Sequence, residues 1–229
     1  MLAIIQSRYD SSRLPGKALI RLGEKEILAM CAHRVSSANL VSDILIATSN
    51  RKTDQTIANF CKQEGLATHL GSLDDVGRRL LTAAESKRSS SFIRICGDSP
   101  FIDPALIDIA ISLSNSSDFD LITNVFPRSF PKGQSVEIID TRMLKKVCEQ
   151  TRSDEEKEHP TSFFYKHHNN FKICSFTSGA SAADSRQCID DKNDLAIAQK
   201  ISSNEHVFNF GWQEIDKLWT KEIGNLGKN

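Results

Sequence analysis

The stretch Leu2-Ala3-Ile4-Ile5-Gln6-Ser7-Arg8-Tyr9-Asp10-Ser11-Ser12-Arg13-Leu14-Pro15-Gly16-Lys17 runs an apolar segment straight into a loop carrying three cations, Arg8, Arg13 and Lys17. An Ile-rich run closed by turn residues reads as a buried first strand. In parallel α/β sheets, ligands sit beyond the carboxyl ends of the strands, which is where this loop falls. Ser11, Ser12 and Gly16 allow close backbone approach, and Pro15 stiffens the turn. Three convergent cations need an anion, and a polyphosphate is the natural candidate. A solvated basic surface loop is the plainer alternative; the crowding of charge with Gly and Pro directly after a first strand weighs against it.

Outward from this loop, apolar runs alternate with helical patterns. Strands are expected at Ser42–Thr48, Ala67–Leu70, Ser91–Cys96 and Asp120–Thr123. Helices are expected from Asp54 to Glu64, closed by Gly65, from a cap at Asp74 to about Lys87, and from Asp103-Pro104 onward, with Pro in the first turn. Such alternation predicts an α/β fold with a mostly parallel central sheet and helices on both faces. After Asn124 the rhythm changes. A loop at Phe126–Gly133 leads to a strand at Gln134–Ile139, a helix at Thr141–Gln150 and a charged helix from Ser153 toward His167. A strand at Phe171–Phe176, a helix at Lys192–Ser202 and an amphipathic helix at Trp212–Ile223 complete the reading. One domain over 1–229 is expected, with a regular part at 1–124 and a more irregular part at 125–229.

Composition narrows the class of partner. Twenty-nine Lys and Arg balance twenty-nine Asp and Glu, so no general affinity for nucleic acid or anionic membrane is expected. The positive charge of the first loop is therefore local. The six cysteines form no CxxC pair, which argues against structural zinc and favours reduced thiols. The apolar stretch at 2–5 is too short for a signal peptide and no segment is apolar enough to span a bilayer, so the expected setting is cytoplasmic.

Two acidic positions match the basic loop. Gly97-Asp98-Ser99-Pro100 follows the Phe92–Cys96 run directly, and an Asp at a strand end beside Gly is well placed to hold a cation that bridges phosphates. Alone, a G-D-x-P turn is common; beside the Arg/Arg/Lys loop it gains weight. Asp190 and Asp191 precede a helix, where Asp191 reads best as the cap and Asp190 equally as cap or metal ligand. Arg78-Arg79, after Asp74-Asp75, reads equally as a pair reaching a ligand and as solvated charges. Glu158-His159 lies on the charged helix, with surface packing as its plain reading. GxGxxG, GxxxxGK[ST] and GxSxG patterns are absent, which removes the main support for dehydrogenase, P-loop and serine-hydrolase readings.

Gln6–Lys17 resembles the Q-A-R-x-x-S-[ST]-R-L-P-G-K loop of sugar cytidylyltransferases, the group of 3-deoxy-manno-octulosonate and acylneuraminate cytidylyltransferases, with its nearest likeness in the spore-coat polysaccharide biosynthesis protein F branch. The likeness continues through Ile46–Ser49, Gly71–Val76, Arg94–Pro104, Asn124, Pro127-Arg128, Gly133, Val136-Glu137, Glu158-His159 and Ile189-Asp190. It implies a Rossmann-like nucleotidyltransferase that binds CTP and Mg²⁺ and lets a sugar hydroxyl displace pyrophosphate, in surface-polysaccharide synthesis. By position, the resemblance makes Arg8, Arg13 and Lys17 the triphosphate ligands and catalytic cations, with Asp98. Asp98 and Asp190 become the metal ligands. Gln6, Ser7, Thr48, Ser49, Arg94 and Gly97 shape the nucleotide pocket, and Arg128, Ser135, Glu137 and His159 face a small acidic sugar. A homodimer is implied too, with 134–176 the segment in which to seek its interface. Three departures stand out: Cys96 where Thr or Gln is usual, Ser135 where the D-G-L-D-V-E loop has a carboxylate, and Asp191-Lys192-Asn193-Asp194 in place of T-P-E-D. Use of another NTP, and a non-catalytic nucleotide-binding role in glycan assembly, stay open at this point.

Overall fold

The structure is a computed structural model that describes residues 1–226 apart from 12, 117, 180, 181 and 205, so Ser12 of the first loop lies outside the described residues. In chain order the elements are β1 (Leu2–Gln6), β2 (Arg21–Leu22), β3 (Lys25–Glu26), α1 (Ile27–Ser36), β4 (Asp43–Ser49), α2 (Gln55–Gln63), β5 (Ala67–Gly71), α3 (Val76–Ser86) and β6 (Ser91–Cys96). They continue with α4 (Pro104–Ser116), β7 (Leu121–Thr123), β8 (Glu137–Asp140), α5 (Thr141–Gln150), α6 (Asp154–Glu158), α7 (Ser162–Lys166), β9 (Ile173–Ser175), α8 (Lys192–Ser202) and α9 (Trp212–Leu226).

Among the described residues, seven strands form one sheet in the order β5-β4-β1-β6-β8-β7-β9. β1 lies in its interior and pairs in parallel with β4 and β6, in a register that sets Gln6 beside both Ala47 and Cys96. The loops leaving β1 and β6 therefore start side by side. Strand period two sorts the apolar residues onto two faces. Ile5, Ile46 and Ile93 pack with α1, α2 and α4, while Ile4, Leu45 and Phe92 pack with α3, α5 and α7. A third cluster, Leu22, Met30, Phe101, Ile189, Ile197 and Trp219, joins the β2–β3 hairpin to α8 and α9. Among the described residues, no helix is long and apolar enough to cross a membrane.

The expected α/β sheet is present, with local corrections. Alongside four parallel pairings, β8 runs antiparallel to β6 and β7. The expected strand at Gln134–Ile139 starts only at Glu137, because the buried Gln134 side chain is used elsewhere. It accepts from Asp103 N at 2.8 Å and donates to Phe101 O at 2.7 Å, which ties it into loops rather than a ladder. The expected helix from Ser153 to His167 is two helices, α6 and α7, separated at His159-Pro160. Proline disfavours helical backbone in the residue before it, and His159 sits at φ −117°, ψ 74°. Asp75, not Asp74, caps α3, accepting from Arg78 N. The hairpin and α1, between Lys17 and Ser42, have no counterpart in the sequence reading.

Candidate active site

Loops at the carboxyl ends of β1 and β6, with segments around 158–159 and 190, enclose a cleft of about 570 Å³. Gln6, Ser7, Arg8, Ser11, Arg13, Lys17, Arg94, Gly97, Asp98, His159 and Asp190 all line it. Gly97 is required where the two central strands diverge. Its N–H donates to Gln6 O at 2.9 Å, and a Cβ there would come within 3.0 Å of that same oxygen and 3.1 Å of Ser7 Cβ.

Lys17 is the hub. Its ammonium donates to Asp98 Oδ2 at 2.7 Å, Ile189 O at 2.9 Å and Asp190 Oδ1 at 3.1 Å. Burial acts to lower its pKa, but the carboxylates, Asp98 first, outweigh that and raise it. Asp190 is shifted the other way: burial alone would push its carboxyl up, and Lys17, Arg13 and Arg186 hold it below the usual range. Arg13 reaches Asp190 Oδ1 at 3.4 Å and stays largely exposed. The backbone of Asp190 is fixed by Asp194, whose carboxylate accepts from Asp190 N at 2.9 Å and Asp191 N at 3.2 Å and pairs with Arg186 at 3.1 Å. Asp191 itself caps α8, with Asp194 closing a reciprocal capping box.

A second wall is built on arginines. Arg94 donates through Nε to Gln6 Oε1 at 2.9 Å and forms a buried ion pair with Glu137. Glu137 also accepts from the Tyr165 hydroxyl, which lies 2.9 Å from Thr123 Oγ1. Arg8 pairs with Glu158 of α6 at 2.7 Å. Arg79, from α3, completes the wall.

Other residues implicated by the resemblance stand apart from the cleft lining. Thr48 and Ser49 are fully buried; the Ser49 hydroxyl donates to Asp54, whose other oxygen accepts from Tyr9 N at 2.5 Å. Ser49 thus tethers the first loop from behind instead of facing the cavity. Arg128 donates to Ser135 Oγ at 3.2 Å, and both lie away from the cleft lining, as does the buried Glu137. Asp54, Tyr165, Arg186 and Asp194 escaped the sequence reading as site residues, since their roles depend on groups that only the assembled loops bring into reach, such as Tyr9 for Asp54 and Glu137 for Tyr165. Arg79 had a visible signal: at position 79 it falls within the helical apolar stripe of Val76, Leu80 and Ala83.

The sequence matches the model of the Cytidylyltransferase family over residues 2–214. The chain belongs to that family. Its relatives include the spore coat polysaccharide biosynthesis protein SpsF of Bacillus subtilis, 31% identical over 220 residues that span 90% of each chain. A 3-deoxy-manno-octulosonate cytidylyltransferase of Geobacter metallireducens is 34% identical over 112 residues, 48% of this chain and 42% of that one. Among solved structures, a cytidylyltransferase from Leptospira borgpetersenii superposes with TM-score 0.90 at 25% identity, covering 97% of this chain and 95% of the other. A CMP:2-keto-3-deoxy-manno-octonic acid synthetase complexed with CTP superposes with TM-score 0.68 at 17% identity, covering 89% and 99%. The sheet is therefore the Rossmann-like sheet of nucleotidyltransferases.

Proposed function

We propose that this cytidylyltransferase moves CMP from CTP to a small acidic sugar, releasing pyrophosphate, as a step in building a surface polysaccharide. The reading is carried by one observation: the Lys17 ammonium between Asp98 and Asp190, with Arg13 beside it, at the carboxyl end of the central strands. A hydroxyl oxygen of the acceptor loses its proton to water and bonds to the α-phosphorus, while the bond from that phosphorus to the α,β-bridging oxygen breaks and that oxygen leaves with pyrophosphate. Lys17, Arg13 and Arg8 supply preorganised positive charge where the phosphates gain negative charge. The similarity to SpsF supports the polysaccharide setting.

Asp98 and Asp190 fit a divalent cation. Both carboxylates contact the same Lys17 nitrogen, so they face a common point at the cleft wall. Magnesium takes hard oxygen ligands, commonly one or two carboxylates with phosphate oxygens and water. Bound there, the ion supplies charge neutralisation on the phosphates during transfer. Lys17 holds the two carboxylates in position and limits their mutual repulsion.

The test is pyrophosphate release with each NTP in turn, Mg²⁺, and a panel including 3-deoxy-manno-octulosonate and N-acetylneuraminate. CTP is expected to be preferred, and Asp98→Ala to abolish release. Equal use of all NTPs would defeat the assignment of CTP, and undiminished activity in Asp98→Ala would defeat that of the metal.

A further inference from the structure

Arg79 is the one cation of the cleft wall without a carboxylate partner among the described residues. Five cations line the cleft, and the other four are paired: Arg8 with Glu158, Arg13 and Lys17 with Asp190, and Arg94 with Glu137. Arg79 is only 1% exposed, so water does little to stabilise its charge. Burial, with Arg8 the next contributor, pulls its guanidinium down to about 10, leaving it charged near neutrality, while Asp54 and Asp75 act in the opposite sense. A buried, unpaired charge is expensive to keep.

The guanidinium is also held in a defined orientation. Nη1 donates to Ser72 O at 2.6 Å and Leu73 O at 3.4 Å. Nε is buried and has no hydrogen-bond partner among the described residues. The stem is seated against Gly71, where a Cβ would come to 2.8 Å from Arg79 Cγ and 3.1 Å from its Cα. With Nη1 committed to the loop, Nε and the neighbouring Nη2 are the donors left without a hydrogen bond among the described residues. These two N–H groups form the side-on edge of the guanidinium, which binds carboxylates and phosphates through two parallel hydrogen bonds.

We propose that the side-on edge of Arg79 is an oxyanion subsite in the cleft wall, filled by a phosphate of the nucleotide or the carboxylate of the acceptor. The subsite deepens the nucleotidyl-transfer reading and rests on it for the identity of the ligand. Arg79 is a binding residue whose missing counter-charge the substrate supplies.

The experiment compares wild type, Arg79→Gln, Arg79→Lys and Gly71→Ala, with circular dichroism melts to establish folding. Calorimetric titrations use CTP, CMP, inorganic pyrophosphate and sulfate, and KM is measured for the acidic sugar that supports turnover. Arg79→Gln is expected to weaken one class of ligand by about ten- to a hundredfold, the size of a charged hydrogen bond. Loss for CTP and pyrophosphate with CMP unchanged identifies an outer phosphate; a raised KM for the acidic sugar with CTP affinity intact identifies the carboxylate. Arg79→Lys keeps the charge without the fork and is expected to recover little. Gly71→Ala, which crowds the stem, is expected to weaken the same ligand and serves if Arg79→Gln fails to fold. Unchanged affinities and KM in the folded variants overturn the proposal and leave Arg79 as a loop tether. If the wild type binds no CTP, the nucleotide reading fails by itself. Sulfate then judges the subsite: tighter binding to wild type than to Arg79→Gln sustains it, and equal binding overturns it.

Discussion

Lys17 contacts both Asp98 and Asp190 in the cleft wall, so its substitution tests the arrangement most directly. Lys17→Met is expected to lower kcat/KM for pyrophosphate release by about 10²–10³, the usual effect of losing one preorganised donor to a charged transition state. The cluster also sets a pH window. Asp190 has a depressed pKa in the folded protein, so its contribution to stability is complete above its unfolded value and is lost as pH falls through the folded one. Lys17 has a raised pKa, so its contribution is present below the unfolded value of 10.5 and is lost as pH rises through the folded one. The stability difference between wild type and Lys17→Met, measured by urea unfolding, is expected to stay flat from about pH 5 to 9 and to shrink outside that window. A step in the difference near neutrality would mean that other groups govern it. The basic loop and its acidic counterparts were visible as residue types beside strand ends. Arg79 could be seen to fall within the apolar stripe of its helix, but what it meets there could not, because that depends on what packs over the helix.

At the level of elements, local chemistry and tertiary constraint part company. The helices at Thr141–Gln150 and Lys192–Ser202 match their expected limits, since each has a strong cap immediately before it. Asp140 accepts from Arg142 N and Met143 N at the start of α5, away from the cleft lining. Asp140→Ala is therefore expected to cost about 1 kcal/mol and to lower the melting temperature by about 2–4 °C, with turnover unchanged. Calorimetry and the pyrophosphate assay together check it, and lost turnover without lost stability would contradict it. The strand expected at Gln134–Ile139 was misplaced for the opposite reason. Its first residues read as extended chain, but Gln134 meets hydrogen-bonding groups at 101, 103 and 187, and those partners exist only once the loops are assembled.

Across the molecule, the antiparallel strand β8 carries Glu137 against Arg94 of β6, placing a buried ion pair between the paired strands. Glu137→Ala leaves the Arg94 charge buried with Gln6 and Cys96 as its side-chain partners among the described residues. The expected cost is about 3–5 kcal/mol, read as a lower urea midpoint at unchanged slope; a loss under about 1 kcal/mol would show that solvent reaches Arg94 when its partner is gone. Sequence by itself determined the strand–helix order, the helix caps, and a basic loop and an acidic turn at strand ends. Those features depend on neighbours within a few residues, which periodicity and capping chemistry expose. Tertiary structure alone decided that the loops leaving β1 and β6 start side by side, that Lys17 lies between Asp98 and Asp190, and that Arg79 is buried without a carboxylate partner among the described residues. Sheet register and packing bring together groups separated by tens to hundreds of residues, and no local preference of the chain encodes those distances.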